Sequence, residues 1–462
     1  MTDARTLSWA GPSGRGQVPD FAPHRSALLR LRGPLLLLGL SLAMARPGQA
    51  QLIDEYLPPG IPGYDTDLAV TVQSRLRPAY EPPGVRVGNF IIRPEATESF
   101  GFNSNVAGLS KGYSGSPELE TRAAVSADSD WSIHGINAFA NVDQLRYFDQ
   151  PTQNQTNWQA GIGGHYDLGR DQITAVYTHS NLNQSPLNID SFGISTPVPY
   201  QTDDVRLGYT TMFGRYSFTP NFEFTAFRFG DEVANGVTTS QSFRNRDLFQ
   251  GGLTMRYELA ERRDVVVVLN GFDNDYTGAP PPGQPVRDST GFDILAGLDY
   301  LWSGALRFRV LGGYEYRTFE SPQLKTQAAP VAQASVIWTP TGLTTVTATA
   351  TRAIEDSSDE FTVGYTFNTA RITVDHELYR NVILEAVGSV QNADYAQNFG
   401  IQTIYGAGAS ATWLINRNLR LIGSYAFARS TATGEIAGAG TAAVSSGKYT
   451  QNIYLLSIHV AL

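Results

Sequence analysis

The chain has 462 residues, no cysteine and a formal net charge of −9; Phe, Tyr and Trp make up 11% of it, yet mean hydropathy is only −0.20. The absent cysteines exclude a disulfide scaffold, thiol chemistry and a zinc–thiolate site, and the acidic balance argues against nucleic acid as a partner. Low hydropathy with many aromatic residues is what results when only one face of each strand must be apolar and rings gather at two interfaces.

At the start of the chain, Arg25, Arg30 and Arg32 precede the apolar run Leu35 to Ala45, and Gly48-Gln49-Ala50 ends in small residues. This is the pattern of an export signal cleaved after Ala50, and the run is shorter than the ~20 apolar residues a spanning helix needs. Residues 1–50 hold six Arg and two Asp, so the exported remainder is more acidic than the whole. No later stretch reads as a transmembrane helix, which leaves closed β-structure as the way to satisfy a backbone within a membrane. Residues 51–87 carry Pro58-Pro59-Gly60, Pro62-Gly63 and Pro82-Pro83-Gly84 with no sustained period. They read as a Pro-rich periplasmic lead-in, ordered in part against a barrel mouth.

From residue 88 to 462 the pattern becomes segments of 11 to 16 residues with period-two alternation. In 305–318, Leu306, Phe308, Val310, Tyr314 and Tyr316 share one face and Arg307, Arg309, Glu315 and Arg317 the other. Soluble strands usually run about 5 to 6 residues, whereas crossing a bilayer at a tilt takes about 9 to 11; the length favours a membrane. In 359–377 the apolar face changes parity near Thr369 and Ala370, which predicts a bulge. The last segment, 449–462, places Tyr454, Leu456, Ile458, Val460 and Leu462 on one face and resembles the terminal signal read by outer-membrane assembly machinery, with Leu where Phe is commoner.

Tight turns are expected at Ser129-Asp130, Gly169-Arg170, Pro220, Glu261-Arg262, Ser303-Gly304, Pro340-Thr341-Gly342, Tyr379-Arg380 and Asn416-Arg417. Longer polar connections at 183–200, 232–244, 277–288 and 432–447 alternate with them. The fold class is therefore all-β, a closed antiparallel transmembrane barrel of about eighteen strands, with sixteen as the fallback, both termini being periplasmic. Trp131, Trp302, Trp338 and Trp413 each lie close to an inferred tight turn, where an interfacial girdle belongs; Trp158 does not.

The words of the sequence carry a further signal. RLRPAYEPPGVRVGNFIIRPEATESFGFNSNV (75–106), VIWTPTGLTTVTATATRAIED (336–356) and VDHELYRNVILEAVGSVQNADY (374–395) resemble segments of a porin-like outer-membrane β-barrel family often encoded with exopolysaccharide synthesis genes. The resemblance spans most of residues 75–462. It implies location, fold and an association with polysaccharide export or envelope maintenance, and no catalytic residues.

A search for chemistry finds little. His134, His165, His179, His376 and His459 are scattered over different strands, with no serine or metal motif beside them. Asp273-Asn274-Asp275 with Gly278 resembles part of a calcium loop but lacks its closing carboxylate, and Gly161-Ile162-Gly163-Gly164 lies inside a strand, the wrong context for a phosphate cradle. The informative polar residues are Asp293, Asp299, Arg307, Arg309, Glu315 and Arg317, which cannot face lipid without a cost of a few kcal/mol each near the midplane. They are expected to line a pore with opposed acidic and basic strips or to form an ion-paired plug, with Arg371 and Asp375 extending the set. The leading expectation is a passive channel for polysaccharide or polar solutes. The alternatives are a non-conducting envelope protein whose outer loops bind polysaccharide and, behind it, an outer-membrane hydrolase. Lipid, lipopolysaccharide, the assembly machinery and polysaccharide are the expected partners, with no cofactor and no metal.

Overall fold

The computed structural model describes residues 71–191, 193–234, 237–359, 362–434 and 447–462. The export signal, its cleavage after Ala50 and residues 51–70 of the lead-in lie outside these. A short strand β1 (Val85–Val87) opens the described sheet, followed by β2 (Phe90–Asn103), β3 (Ser116–Ser129), β4 (Gly135–Tyr147), β5 (Gln155–Asp167), β6 (Gln172–Gln184), β7 (Val198–Phe213) and β8 (Tyr216–Phe229). A two-stranded hairpin, β9 (Asp231–Ala234) and β10 (Val237–Ser240), stands apart from the wall. The wall resumes with β11 (Arg246–Ala260), β12 (Arg263–Tyr276), β13 (Ser289–Ser303), β14 (Leu306–Phe319), β15 (Gln327–Thr341), β16 (Thr344–Asp356) and β17 (Gly364–Tyr379). It ends with β18 (Val382–Tyr395), β19 (Gly400–Leu414), β20 (Leu419–Gly434) and β21 (Tyr449–Ala461).

Each long strand pairs antiparallel with its neighbour, and β21 pairs back onto β2 from Glu95↔Ala461 to Asn103↔Ile453. The ladder therefore closes into an all-β barrel of eighteen strands, each of 13 to 16 residues. Closure leaves no open edge, which is what a strand structure in hydrocarbon requires. Below the end of β21, β1 continues along the same side of β2, from Val85↔Ile92 to Val87↔Phe90. Tyr454, Leu456, Ile458, Val460 and Leu462 point outward, all exposed.

Seven of the eight expected tight turns fall where the sequence places them. Pro220 does not: it lies inside β8 opposite Leu253, and the chain reverses at Gly214-Arg215, where Gly214 takes a φ of +61° that favours glycine. Pro220 has no N–H to donate, and the β7–β8 ladder skips from Gly208↔Asn221 to Thr211↔Phe218 without changing register. The bulge expected at Thr369 and Ala370 is also absent. Pairing runs unbroken through both residues, and the irregularity sits between Glu377 and Tyr379. The change of parity is one of side-chain type alone: Tyr365 and Phe367 face the interior, where they pack against a loop rather than lipid.

Outside the wall, an apolar band runs from Trp302 near one turn to Phe292, which packs on Tyr316 at 5.8 Å near the other end. Ten residue steps at ~3.3 Å each, foreshortened by a tilt of ~35–45°, give a band about 25 Å tall, the height of a lipid-facing belt. Trp131, Trp302, Trp338 and Trp413 are all exposed at the tight-turn end. Trp158 is exposed at the opposite end, on the rung with Val142, where it marks the second edge of the band.

Candidate functional site: the lumen and its constriction

The side chains opposite the apolar band turn inward. On β13 and β14, Asp299 receives the Nε (3.1 Å) and Nη2 (3.0 Å) of Arg307, with Arg309 on the facing rung. Six residues further along, Asp293 faces Glu315 and accepts the Asn270 amide at 3.0 Å. Arg317 donates to Asp356 at 2.6 Å and stacks over Phe272 at 4.9 Å. These six expected residues thus form one strip of mixed charge. Arg371 and Asp375 stand three strands away on β17, Asp375 opposite Glu385 and accepting from Gln73 at 2.7 Å, so the eight do not converge. The sequence reading missed further interior ion pairs, among them Arg206 with Asp204 (3.0 Å) and Glu223 (3.1 Å), and Arg122 with Glu120 and Asp143.

The larger omission was a loop. The described residues of the loop between β6 and β7, 185–191 and 193–197, fold into the barrel and reach the far side of the wall. Ile189 packs with Tyr365, Phe367, Ala393, Tyr395, Ile404 and Ala432, and Leu187 with Ala428 and Tyr449. In the closed order, β6 and β7 are the fifth and sixth wall strands and β17 to β21 the last five, so the loop spans the lumen. Polar contacts fix it there: Tyr449 OH donates to Leu187 O at 2.6 Å, Asp190 N to Gln402 Oε1 at 3.0 Å, and Gln153 Nε2 to Ser195 O at 2.7 Å. Ile189 is 1% exposed and Ser191 0%.

Asp190 is the latch of this loop. Its backbone is left-handed (φ +57°), its carboxylate accepts the Ser357 hydroxyl at 2.8 Å and the Ser358 N–H, and Ser358 Oγ donates to its carbonyl. Burial pushes the Asp190 carboxyl up to about 6, against the opposing pull of Ser358, Ser357 and Arg244. Arg244 donates to Gln184 at 2.7 Å and stacks over Phe229 at 4.0 Å, and Arg287 holds the carbonyls of Ser357 (3.2 Å) and Asp359 (2.6 Å).

The β16–β17 hairpin, whose Ser357 and Ser358 hold Asp190, also leans inward, for a reason visible in the sequence. Pro330 on β15 has no N–H for β16, and that ladder ends at Ala332↔Arg352, with Arg352 Nε capping the Pro330 carbonyl at 2.9 Å. Released from β15, the end of β16 swings over the lumen. There Asp356 gathers Arg317, Asn274 (2.9 Å) and Arg246 (3.6 Å), and Ile354 N–H reaches Glu315 at 3.4 Å.

At the tight-turn end the lead-in enters the mouth. Val72 N–H donates to Thr345 at 2.8 Å, Arg75 and Arg77 pair with Glu377 at 3.3 and 2.8 Å, and Val72 and Tyr80 pack on Ile383 and Leu414.

Four of the five histidines have separate partners: His134 stacks on Tyr166, His179 pairs with Asp203, His376 meets Thr344 and His459 meets Thr97, while His165 lies opposite Gly135, one residue from His134. Asp273 and Asn274 sit on opposite faces of β12, not in a loop, and the described residues hold no cluster of three or more metal-ligating side chains.

A closed eighteen-strand wall with a charged interior and an apolar exterior is the architecture of an outer-membrane porin, and the profile of the family described as Putative beta-barrel porin 2 matches residues 77–446. The chain belongs to that family. Among solved structures, the porin is similar to a BenF-like porin from Pseudomonas fluorescens Pf-5 (TM-score 0.43, 10% identity, 80% of this chain and 99% of that one). It is also similar to OccK9 (OpdG) of Pseudomonas aeruginosa (0.43, 11%, 80% and 98%) and OccAB2 of Acinetobacter baumannii (0.44, 9%, 81% and 98%). No curated protein sequence matches it.

Proposed function

We propose that this porin is a passive channel for polar solutes, serving exopolysaccharide export or exchange across the outer membrane, whose bore is set by residues 185–197. The observation that carries this reading is the interior strip Asp293, Asp299, Arg307, Arg309, Glu315 and Arg317 in a wall of eighteen strands, a number at which barrels leave an aqueous lumen. Acidic and basic groups side by side lower the barrier for polar and zwitterionic solutes without favouring one sign strongly. Short turns facing the periplasm put the loop 185–197 toward the cell exterior and the lead-in toward the periplasm.

A second reading has its own support: Ile189 and Ser191 are almost wholly buried, which suits a non-conducting envelope protein. Planar-bilayer recording separates the two. A channel gives discrete steps that grow several-fold when residues 187–196 are replaced by a short Gly-Ser linker. A folded, heat-modifiable barrel silent in both forms would leave only the structural role.

A further inference from the structure

The wall is split a second time, between β5 and β6. Their ladder begins at Trp158↔Asn181, although β5 continues to Gln155 and β6 to Gln184. Both strands remain paired on their other sides, β5 with β4 up to Leu145↔Gln155 and β6 with β7 up to Gln184↔Val198. Beside the split, the β6–β7 hairpin carries Leu182 and Tyr200 in a buried cluster with Phe227 and Phe229. What opens between the strands is a cavity of about 480 Å³ lined by Gln144, Arg146, Asn154, Thr156, Asn181 and Asn183, with Leu145 and Gln155 behind them.

Its chemistry is narrow. Carboxamides and a hydroxyl dominate, each able to donate and accept, and no carboxylate lines it, which disfavours a cation. Leu145 is its one apolar residue, too little for an acyl chain. Asn183 Nδ2 bridges the split, donating to Thr156 O and Asn157 Oδ1 at 3.0 Å each, while the buried Gln155 Oε1 has no partner. Arg146 is exposed and forms no ion pair with the described residues. Trp158, 38% exposed, lies on the rung that floors the split, offering a ring face just where the apolar band ends. On β13 and β14 the outward residues beyond Phe292 and Tyr316 are only Thr290 and Thr318 before the strands end.

We propose that this cleft binds the saccharide headgroup of an outer-leaflet glycolipid, the carboxamides of Gln144, Asn181 and Asn183 meeting sugar hydroxyls and Arg146 an anionic substituent. Its volume lies within the ~300–1,000 Å³ of small-ligand sites, and a polar pocket directly above an aromatic belt faces the headgroup layer. The assignment takes the long-loop end as the outer one.

The test uses the whole porin in detergent, with rough-type lipopolysaccharide as the probe and native mass spectrometry as the readout. The triple variant Arg146→Ala, Asn181→Ala, Asn183→Ala is expected to lose about tenfold or more in affinity while remaining heat-modifiable. Asn183→Gln, which keeps a carboxamide, is expected to retain most binding. The core oligosaccharide freed from its lipid is expected to bind more weakly than the intact glycolipid, and less still to the triple variant. Unchanged glycolipid binding in the triple variant would overturn the site. Equal affinity for the freed oligosaccharide would overturn the glycolipid and point to soluble polysaccharide instead.

Discussion

The two ends of the barrel are narrowed by different means. At the long-loop end, residues 185–197 cross the lumen and bury Ile189, Leu187 and Asp190 against five strands of the far wall. At the tight-turn end, residues 71–81 follow the near wall of β16 to β19, held by Val72 and Tyr80 and by two arginines on one glutamate. The first closure is built like a protein core, with apolar contact, left-handed backbone and a buried carboxyl. The second is a half-exposed strap. Closure at the long-loop end should therefore respond strongly to loss of its buried charges and to pH, and the strap should loosen only slightly when its exposed ion pair is removed.

The largest effect is expected at Asp356, which joins Arg317 of β14 and Arg246 of β11. Asp356→Ala leaves two buried guanidinium groups short of their counter-charge, a loss of about 3–5 kcal/mol. Faster hydrogen exchange in the β16–β17 hairpin, with β12 to β14 unchanged, would place the loss there; uniform protection would show that this anchor holds little.

Next comes pH. The Asp190 carboxyl sits at about 6 in the docked loop, against 3.8 for an exposed aspartate, so the docked state binds the proton more tightly. Docking is then most favourable below pH ~4 and loses roughly 3 kcal/mol as pH rises through about 6. Facing Asp190 are Ser357, Ser358, Gln402, Arg244, Asp359, Tyr365 and Tyr395. Channel conductance should accordingly rise between about pH 4 and 6, and Asp190→Asn should flatten that rise at the low-conductance level. An unaltered pH profile in the variant would remove Asp190 from the latch.

The smallest effect is expected at the strap. Arg75→Ala removes one part-exposed pair worth about 1 kcal/mol or less, while Arg77 keeps Glu377 paired. Chymotrypsin should cut faster beside Tyr80 while the outer loop stays protected. Equal cleavage rates in variant and parent would mean that the apolar contacts of Val72 and Tyr80 suffice.

The same contrast marks what the sequence made legible. Alternation exposed the wall because one face meets lipid and the other water, so β13, β14 and β21 and the total of eighteen strands could be read directly. It misled where the interior is not water. Tyr365 and Phe367 looked lipid-facing because Ile189, which covers them, lies far from them in the sequence, and periodicity carries no long-range information. One local signal was available: Leu187, Ile189 and Ile194 are apolar in a stretch otherwise built for solvent, which only an inward fold explains. Pro220 misled differently, since proline marks turns and interrupted ladders alike. Pro330, read the same way, would have pointed to the split that frees β16.

The central claim is that residues 185–197 set the bore by docking across the lumen. The chain has no native cysteine, so Asp190→Cys with Ser357→Cys, whose side chains touch in the docked loop, places a single disulfide across the barrel. Single-channel recording of the oxidised protein should show a low, steady conductance that rises on adding a reductant, while each single-cysteine variant ignores the reductant. Conductance that is the same before and after reduction, in a sample where the cross-link has formed, would contradict the claim.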